Sequence, residues 1–466
     1  MLRSTLAIMV LMVAKIHSTT NIGRMNNIAY ISNIATTSIT YNQTCSECIC
    51  KAFFSTTQSL YVALNCYTSN RTCRLIANYS STWTMQADVN STFIFIQPPP
   101  LQSTSTTTST TSSTSTSTTT KNTQYNITYS PQVLYTTSSG PWSLAVNDVN
   151  NDSRPDIIVA NIDSNKIRIF FNAGNGTFPT KAVYTTGTSP WSVVVVDINA
   201  DTKPDIIYSN TGGNSIGFLL SKGNGTFSAE TTYATGSNPR GVQVIDVNSD
   251  KKPDIIVTNF YDNNVGIFLN KGNGTFATQK TYPTGNYPYG LAVFDLNADN
   301  QPDIVTTYYY NYSIGVLINQ NNGTFPTQTV YRTGTNPRDV KVADINLDGR
   351  PDIIVANNGT NTVSVLLNIG NGSFDVQKTF ATGTYPFSVE VFDMNGDDRL
   401  DIIIPNSGDD TVGILRNLGN ATFAVQTIFA TGGNPHVAKV ADVDMDNKPD
   451  IIVTNYDDDT ISVLLS

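Results

Sequence analysis

The sequence predicts an all-β fold: a seven-bladed β-propeller of four-stranded blades, closed by an N-terminal outer strand and preceded by a small Cys-rich module and a Ser/Thr stalk. Two observations carry this prediction. An acidic loop of the form Asp-x-Asn-x-Asp-x-x-x-Asp, with Asp444 in place of Asn in the last copy, occurs seven times at a constant interval of 49 residues, and short apolar runs flank each copy. A repeat of about 50 residues built from strands and turns is typical of propellers, because solenoid repeats are usually shorter or helical.

Each period contains four predicted strands. In the period that starts at Asn175, these strands end at Tyr184, Val196, Ser209 and Leu220, and the acidic loop lies between the second and the third of them. Asn-Gly pairs tolerate the positive φ angles of a tight hairpin, so they predict the turn at the start of each period. The pairs are Asn175-Gly176, Asn224-Gly225, Asn273-Gly274, Asn322-Gly323 and Asn371-Gly372.

The two ends of the repeat region, 126–466, indicate how the ring closes. The segment 126–129 lies 49 residues before 175–178, so an outer strand opens the region, whereas the chain ends after the third strand of its last blade. We therefore expect an N-terminal strand from Gln132 to Tyr135 to complete the C-terminal blade. Such closure removes the open sheet edge that invites aggregation.

Two sets of aromatic residues also recur every 49 residues. We interpret them as packing between blades, although a ligand platform is the alternative. The first set is Phe178, Phe227, Phe276, Phe325, Phe374 and Phe423, and the second is Tyr135, Tyr184, Tyr233, Tyr282, Tyr331, Phe380 and Phe429.

The acidic loops predict calcium sites. Side chains at positions one, three, five and nine, with a backbone carbonyl near position seven, form a cage of hard oxygen donors that suits Ca²⁺. Up to seven structural ions are expected. The predicted ligands are Asp148, Asn150, Asp152, Asp156; Asp197, Asn199, Asp201, Asp205; Asp246, Asn248, Asp250, Asp254; Asp295, Asn297, Asp299, Asp303; Asp344, Asn346, Asp348, Asp352; Asp393, Asn395, Asp397, Asp401; and Asp442, Asp444, Asp446, Asp450.

Two other interpretations of the loops are weaker. An EF-hand needs Gly at position six, Glu at position twelve and flanking helices. Here position six is Gly only at Gly349, position twelve is Val159 or Val355, and strand formers follow. Plain polar turns also favour Asp and Asn, but seven copies of a four-position pattern favour the metal.

Together, the acidic loops with the following Ile-Ile-Val and the Gly-Asn-Gly-Thr-Phe turns resemble FG-GAP or VCBS repeats over about 126–466. The resemblance implies a seven-bladed propeller similar to the head of integrin α subunits, with calcium-stabilised extracellular recognition or adhesion as its function. The chain departs from the family pattern in lacking the loop glycine everywhere except Gly349.

Three further pieces are predicted ahead of the propeller. Residues 1–18 have the charge and the short apolar run of a signal peptide, which predicts a secreted protein without a membrane span. Residues 40–97 contain all five cysteines and predict a disulfide module with a slight likeness to PAN/apple domains, while a zinc site is the alternative. The odd cysteine would be spare or would link a dimer. Residues 98–124 are a Pro and then Ser/Thr-rich linker, best explained as a glycosylated stalk.

A ligand is expected on the face opposite the acidic loops, at the entrance of the central channel. The residue after each periodic Pro varies there and is rich in the aromatic and Arg types found at binding hot spots. These residues are Trp142, Trp191, Arg240, Tyr289, Arg338, Phe387 and His436. Tyr261, Tyr308, Tyr309, Tyr310 and 457–459 are expected in nearby loops. The alternative is that all of them simply pack where the inner strands begin.

The function expected is recognition of an extracellular protein or glycan. A lectin-like propeller is the alternative, suggested by Trp142 and Trp191, which could stack on sugars. A polysaccharide-active or hydrolytic enzyme is less supported, because His436 has no metal-ligand companion and no nucleophile elbow or phosphate loop occurs. With a net charge of −9 and a pI of about 4.7, the chain is not expected to bind nucleic acid.

Overall fold

A computed structural model of the protein describes residues 10–14, 48–52, 63–67, 72–76, 127–320 and 322–466. The chain divides into two compact units, Met1–Thr116 and Ser117–Ser466. In the first unit two antiparallel pairs of strands are described, Val10–Ala14 with Cys48–Ala52 and Ala63–Tyr67 with Thr72–Ile76. Most of the predicted signal peptide, the cysteine pairing and the linker 98–124 lie outside the described residues.

The second unit is the predicted all-β, seven-bladed propeller, made of seven four-stranded antiparallel sheets. The described residues contain no helix, and hence none long and apolar enough to cross a membrane. From inner to outer strand, blades 1 to 4 are Pro141–Asn147, Asp156–Asn161, Lys166–Phe171, Thr180–Thr185; Pro190–Val196, Asp205–Asn210, Ser215–Leu219, Thr231–Ala234; Pro239–Ile245, Asp254–Asn259, Asn264–Phe268, Lys280–Pro283; and Pro288–Phe294, Asp303–Tyr308, Ser313–Leu317, Gln328–Arg332. Blades 5 to 7 are Pro337–Ala343, Asp352–Asn357, Thr362–Leu366, Lys378–Ala381; Glu390–Phe392, Asp401–Asn406, Thr411–Leu415, Thr427–Ala430; and Pro435–Ala441, Asp450–Asn455, Thr460–Leu464, Val133–Thr136.

The N-terminal strand closes the ring as predicted. Val133–Thr136 is the outer strand of blade 7, and Tyr135 lies opposite Ile461 in its register with Thr460–Leu464. The strand is shifted by one residue from the sequence-based prediction. The hydrogen bond from Ser130 N to Leu465 O, at 2.8 Å, extends the contact between the two ends of the repeat region.

The hydrophobic core lies between the blades. Seven buried clusters each join two neighbouring sheets, and the cluster that contains Ile157 and Ile452 joins blade 1 to blade 7. The second strand of every blade is buried along its whole length, as the unbroken Ile and Val runs predict. The outer strands are mostly exposed.

The periodic aromatic residues pack between blades, which confirms their interpretation as core. Tyr135 meets Phe178 edge to face at 5.4 Å, and Tyr184 meets Phe227 in the same way at 5.5 Å. The hydroxyl of Tyr135 also donates to Gly176 O at 3.2 Å, so the pair is fixed by a polar contact as well as by ring packing.

The Asn-Gly turns are less uniform than predicted. Asn273 and Asn371 have positive φ, as do the glycines that follow them, and each pair closes a short two-stranded hairpin. In blade 1 only the glycines of this turn, Gly174 and Gly176, are left-handed. There the hydrogen bond from Ala173 N to Thr177 O closes the loop at 2.9 Å without a strand pair.

Candidate functional site

The acidic loops connect the inner strand to the second strand of each blade, and the chain wraps around their first aspartate. In blade 1, Oδ1 of Asp148 accepts the N–H groups of Asn150 and Asp152 at 3.2 and 3.1 Å. Its Oδ2 accepts the N–H of Ser153 at 2.7 Å. The equivalent contact to position six occurs in all seven loops, including Gly349 N to Asp344 at 2.7 Å. The side chain at position one therefore folds back over its own turn.

Position six is left-handed in these loops although it is a glycine only once. Ser153, Thr202 and Lys251 have φ values of 65°, 66° and 65°. A left-handed non-glycine residue usually costs about 1 kcal/mol or more, and such strain concentrates at functional sites. The family glycine is therefore absent without any change in the turn.

The aspartate at position nine is completely buried in every loop. In blade 1, Oδ2 of Asp156 accepts Val149 N at 3.2 Å and Oδ1 accepts Asn172 N at 2.9 Å. Burial, opposed by these two hydrogen bonds and assisted by the charges of Asp152 and Asp148, raises the pKa of Asp156 to about 6. The pKa is likewise raised to about 6 at Asp205, Asp254, Asp303, Asp352, Asp401 and Asp450.

In six loops the residue at position seven supplies a counter-charge to position five. The sequence-based prediction used only the backbone carbonyl of position seven and missed this pairing, although Lys or Arg recurs there. The fourth loop has Gln301 instead, which exchanges hydrogen bonds with Ser249. The pairs are Asp152–Arg154, Asp201–Lys203, Asp250–Lys252, Asp348–Arg350, Asp397–Arg399 and Asp446–Lys448, at 2.6 to 3.3 Å.

Among the described residues, the carboxylates close enough to share a cation are in the loop of blade 7, and the group lacks Asp446 at position five. In blade 7, carboxylate oxygens of Asp442, Asp444 and Asp450 lie within 4.8 Å of one another. Burial raises the pKa of the carboxylate at position nine, so its charged form would be stabilised by a nearby cation. Oxygen donors without nitrogen or sulfur suit Ca²⁺ better than a transition metal.

In five blades a side-chain amide after the third strand connects the blade to the acidic loop of the preceding blade, a contact that the sequence-based prediction missed. Nδ2 of Asn172 donates to Val443 O at 2.9 Å and to Pro155 O at 3.0 Å. This contact joins blade 1 to blade 7. The signal was the recurrence of Asn at intervals of 49 residues; the counterparts are Asn270, Asn319, Asn368 and Asn417, whereas blades 2 and 7 have Ser221 and Ser466.

The residues after the periodic prolines converge where the inner strands begin, at the end of the channel opposite the acidic loops. We call Trp142, Trp191, Arg240, Tyr289, Arg338, Phe387 and His436 the mouth residues. The ring centroids of Trp142 and Trp191 are 4.0 Å apart, and those of Phe387 and His436 are 3.8 Å apart and nearly parallel. All seven predicted positions therefore lie in one cluster.

The two arginines of this cluster stack on aromatic rings. The guanidinium carbon of Arg240 lies 3.4 Å from the ring centre of Phe260 and 4.6 Å from that of Trp191. The guanidinium carbon of Arg338 lies 4.2 Å from the ring centre of Phe387. Burial, followed by the charge of Arg338, accounts for most of the lowering of the Arg240 pKa.

A cavity of about 380 Å³ opens among these residues. Tyr308, which the sequence analysis expected in a mouth loop, is instead a buried residue of the second strand of blade 4 and is absent from the lining. The lining consists of Trp142, Trp191, Arg240, Phe260, Tyr261, Tyr287, Tyr289, Tyr309, Tyr310 and Arg338.

Farther along the inner strands, four charged residues form a half-buried network. Nζ of Lys439 and Nζ of Lys341 approach Oε2 of Glu390 at 2.5 and 3.4 Å. Burial raises the pKa of Glu390, but Lys439 and Lys341 outweigh it and lower this pKa to about 2. Asp339 accepts the N–H of Val389 at 3.1 Å, and burial raises its pKa.

These features define a seven-bladed propeller with an acidic loop in every blade. The family model described as "FG-GAP-like repeat" matches residues 148–208, 197–257, 246–306, 295–355, 344–404 and 393–453. The chain belongs to this family of repeat propellers. No curated protein matches the chain significantly.

Solved structures show the same fold at low sequence identity. Virginiamycin B lyase from Staphylococcus aureus is 16% identical, with a TM-score of 0.52, and the match covers 72% of this chain and 99% of that one. A BBS1N structure in complex with ARL6DN is 11% identical, with a TM-score of 0.54, and covers 72% and 96%. At these identities the likeness concerns the fold alone.

Proposed function

We propose that this protein is a secreted, calcium-binding propeller that acts as an extracellular recognition or adhesion module and binds its ligand at the mouth residues. The observation that carries the proposal is the aromatic and arginine-lined cavity at the end of the channel opposite the acidic loops. Aromatic and Arg side chains are the types enriched at binding hot spots. The cavity volume lies in the range of small-ligand sites.

Calcium has a structural role in this proposal. The loops lie at the other end of the inner strands from the cavity, so a bound ion would not touch a ligand there. In five blades, the residue that donates its N–H to the buried aspartate also donates its side-chain amide to the loop of the preceding blade. Calcium bound by the loop side chains would neutralise buried carboxylates and strengthen the contact between neighbouring blades.

A lectin-like function is the second candidate, and the form of the site favours it. The cavity is concave and small, whereas a protein partner usually covers a broad surface. Trp191 and Tyr309 offer aromatic faces, and exposed Tyr261 and Tyr310 stand at the rim. An enzymatic function has less support, because His436 is buried and stacks between Phe387 and Tyr456, and burial lowers its pKa well below the usual value.

The proposal predicts that Trp191→Ala weakens ligand binding. The full-length secreted protein and the variant would be compared on arrays of extracellular glycans and proteins in calcium-containing buffer. We expect at least a tenfold loss, because removing a central aromatic anchor costs about 1–3 kcal/mol. Tyr385→Ala is the matched control, since Tyr385 is an exposed aromatic residue outside the cavity lining. Equal binding by the Trp191 variant and the control would refute a ligand site at the mouth.

A further inference from the structure

We propose that Arg240 and Arg338 form the anion subsite of the mouth cavity and that its ligand is an acidic sugar carrying a carboxylate or sulfate. This inference rests on the proposed function and specifies its ligand. Both arginines line the same cavity, and no carboxylate within the described residues 127–320 and 322–466 forms an ion pair with either. Two neighbouring half-buried cations without a counter-ion favour an anion.

The hydrogen-bonding capacity of the two guanidinium groups is largely unused. Arg240 donates from Nε to Asn238 Oδ1 at 3.0 Å, and Arg338 donates from a terminal nitrogen to the Tyr289 hydroxyl at 3.3 Å. Nε of Arg338 is buried and has no hydrogen-bond partner. A guanidinium has five N–H donors, and stacking on a ring occupies its faces and leaves its edges free. These edges are suited to paired oxygens of a carboxylate or sulfate.

The backbone positions of both arginines are fixed from the neighbouring blade. Oγ of Ser209 donates to Arg240 O at 2.6 Å, and Oγ1 of Thr307 donates to Arg338 O at 3.1 Å. Tyr289 lies under both guanidinium groups, 4.5 Å from that of Arg240 and 5.6 Å from that of Arg338. A preorganised pair of donors loses little freedom when a ligand binds.

The acidic residues near the mouth are engaged elsewhere. Asp262 accepts Ser237 N at 2.7 Å, and Asp458 accepts Gly433 N at 2.7 Å. Asp163 accepts the hydroxyl of Tyr456 at 3.0 Å, and Asp459 accepts Gly140 N at 2.8 Å. Their carboxylates therefore complete the turns of the rim and do not neutralise the two arginines.

The aromatic walls select the kind of molecule that carries the anion. The lining contains two Trp and five Tyr in addition to the buried Phe260. Flat aromatic faces pack against the apolar face of a sugar ring, and tyrosine hydroxyls can bond to its hydroxyl groups. A cavity of about 380 Å³ fits one or two sugar units better than a folded partner. An acidic sugar can stack on the aromatic lining and at the same time place its anionic group against the two guanidinium groups.

A glycan array of matched pairs tests the inference. The probes are sialyllactose with lactose, a hyaluronan tetrasaccharide with a chitin tetrasaccharide, and sulfated with unsulfated lactose. We expect binding of the full-length protein to acidic members only, with the carboxylated and sulfated pairs showing which anion is preferred. Arg240→Gln and Arg338→Gln should each weaken binding by about tenfold or more, because they remove a charge-assisted hydrogen bond. Added salt should weaken it too.

Two variants separate binding from folding. Arg332→Gln removes an exposed arginine from the outer strand of blade 4 and should leave binding unchanged. Arg240→Lys retains the positive charge but loses the planar guanidinium with its paired N–H donors. This variant should therefore fold and still prefer acidic probes, but bind them more weakly. Equal binding within the pairs, acidic peptides bound in place of acidic glycans, or binding that is insensitive to both Gln substitutions would overturn the inference. A neutral ligand whose binding Trp191→Ala abolishes would overturn it while leaving the proposed function intact.

Discussion

At the scale of single residues, the buried aspartate at position nine determines how the loops respond to protons. Asp352 and its six counterparts are fully buried, yet each has only backbone N–H groups as direct partners for its oxygens. Their pKa values are about 6 without a metal, well above the value of about 3.9 for an unfolded chain. The folded protein therefore binds protons more tightly than the unfolded chain.

The first prediction concerns pH in the presence of a chelator. The stabilisation from these raised pKa values is complete below about pH 4 and is lost as the pH rises through 6, so the free energy of unfolding should increase from pH 7 to pH 5. About 1 kcal/mol for each loop is an upper estimate. His436, whose pKa is lowered, opposes this trend, but it is one group against seven. Chemical denaturation at pH 5, 6 and 7 measures the effect.

Saturating calcium is the control for this prediction. An ion binds the charged carboxylates and competes with protons, so stability should then fall from pH 7 to pH 5. A metal-free protein that loses stability over the same interval would show that the buried aspartates are not the dominant titrating groups.

At the scale of elements, the cross-blade amides connect neighbouring sheets whose strands do not pair with each other. Nδ2 of Asn368, in blade 5, donates to Leu296 O in the loop of blade 4 at 2.9 Å and to Pro351 O at 3.0 Å. Its Oδ1 accepts Gly370 N at 2.8 Å. A single buried side chain thus orders its own turn and the preceding acidic loop.

The second prediction is that Asn368→Ala lowers the free energy of unfolding by about 2–4 kcal/mol, because it leaves buried backbone groups without partners. Asn368→Ser should cost less, since blade 2 has Ser221 at this position and Ser221 accepts the N–H of Gly223. Asn311→Ala, at an exposed turn, should stay within about 0.5 kcal/mol of the native protein. Urea denaturation in EDTA compares the three variants, and similar midpoints for all would contradict the role assigned to the amide.

How far the sequence predicts these elements depends on how local their causes are. The strands and the ring closure follow from a period of 49 and from the phase of the two ends, so they could be predicted. The partner of Asn368 lies 72 residues away in another blade, and no local pattern indicates that distance. The ion pair between Asp348 and Arg350 is local in sequence. It could have been predicted from the recurrence of Lys or Arg at position seven, whose side chain is not a predicted ligand.

At the mouth, the sequence predicts that seven side chains lie on one face of the propeller, but it does not predict the contacts between them. Whether Arg240 would extend into solvent or stack between Trp191 and Phe260 depends on side-chain packing across two blades. Tyr308 is the last residue of the second strand of blade 4 and is buried, whereas Tyr309 begins the turn that follows and lines the cavity. The sequence alone does not show which of these two tyrosines faces the cavity.

At the scale of the whole molecule, calcium and ring closure act on the same equilibrium. If each loop is filled at tenfold its Kd, linkage gives about 1.4 kcal/mol per site and roughly 10 kcal/mol for seven sites. This is comparable to the entire stability of an ordinary domain. The third prediction is therefore a large rise in the melting temperature of the full-length protein on replacing EDTA by calcium. An unchanged midpoint would mean that the loops are polar turns and not metal sites.

The last prediction concerns the strand that closes the ring. A chain that begins at residue 137 lacks Val133–Thr136, so the edge of Thr460–Leu464 loses its partner and Phe178 loses its contact with Tyr135. An exposed strand edge is a template for pairing with other chains. We expect this chain to melt at a lower temperature than one that begins at Ser117, the start of the second unit, and to self-associate in sedimentation experiments. The Ser117 chain is the matched control because it retains the strand and lacks the first unit. Equal melting temperatures and a monomeric shorter chain would show that six complete blades and a three-stranded seventh suffice for a closed ring.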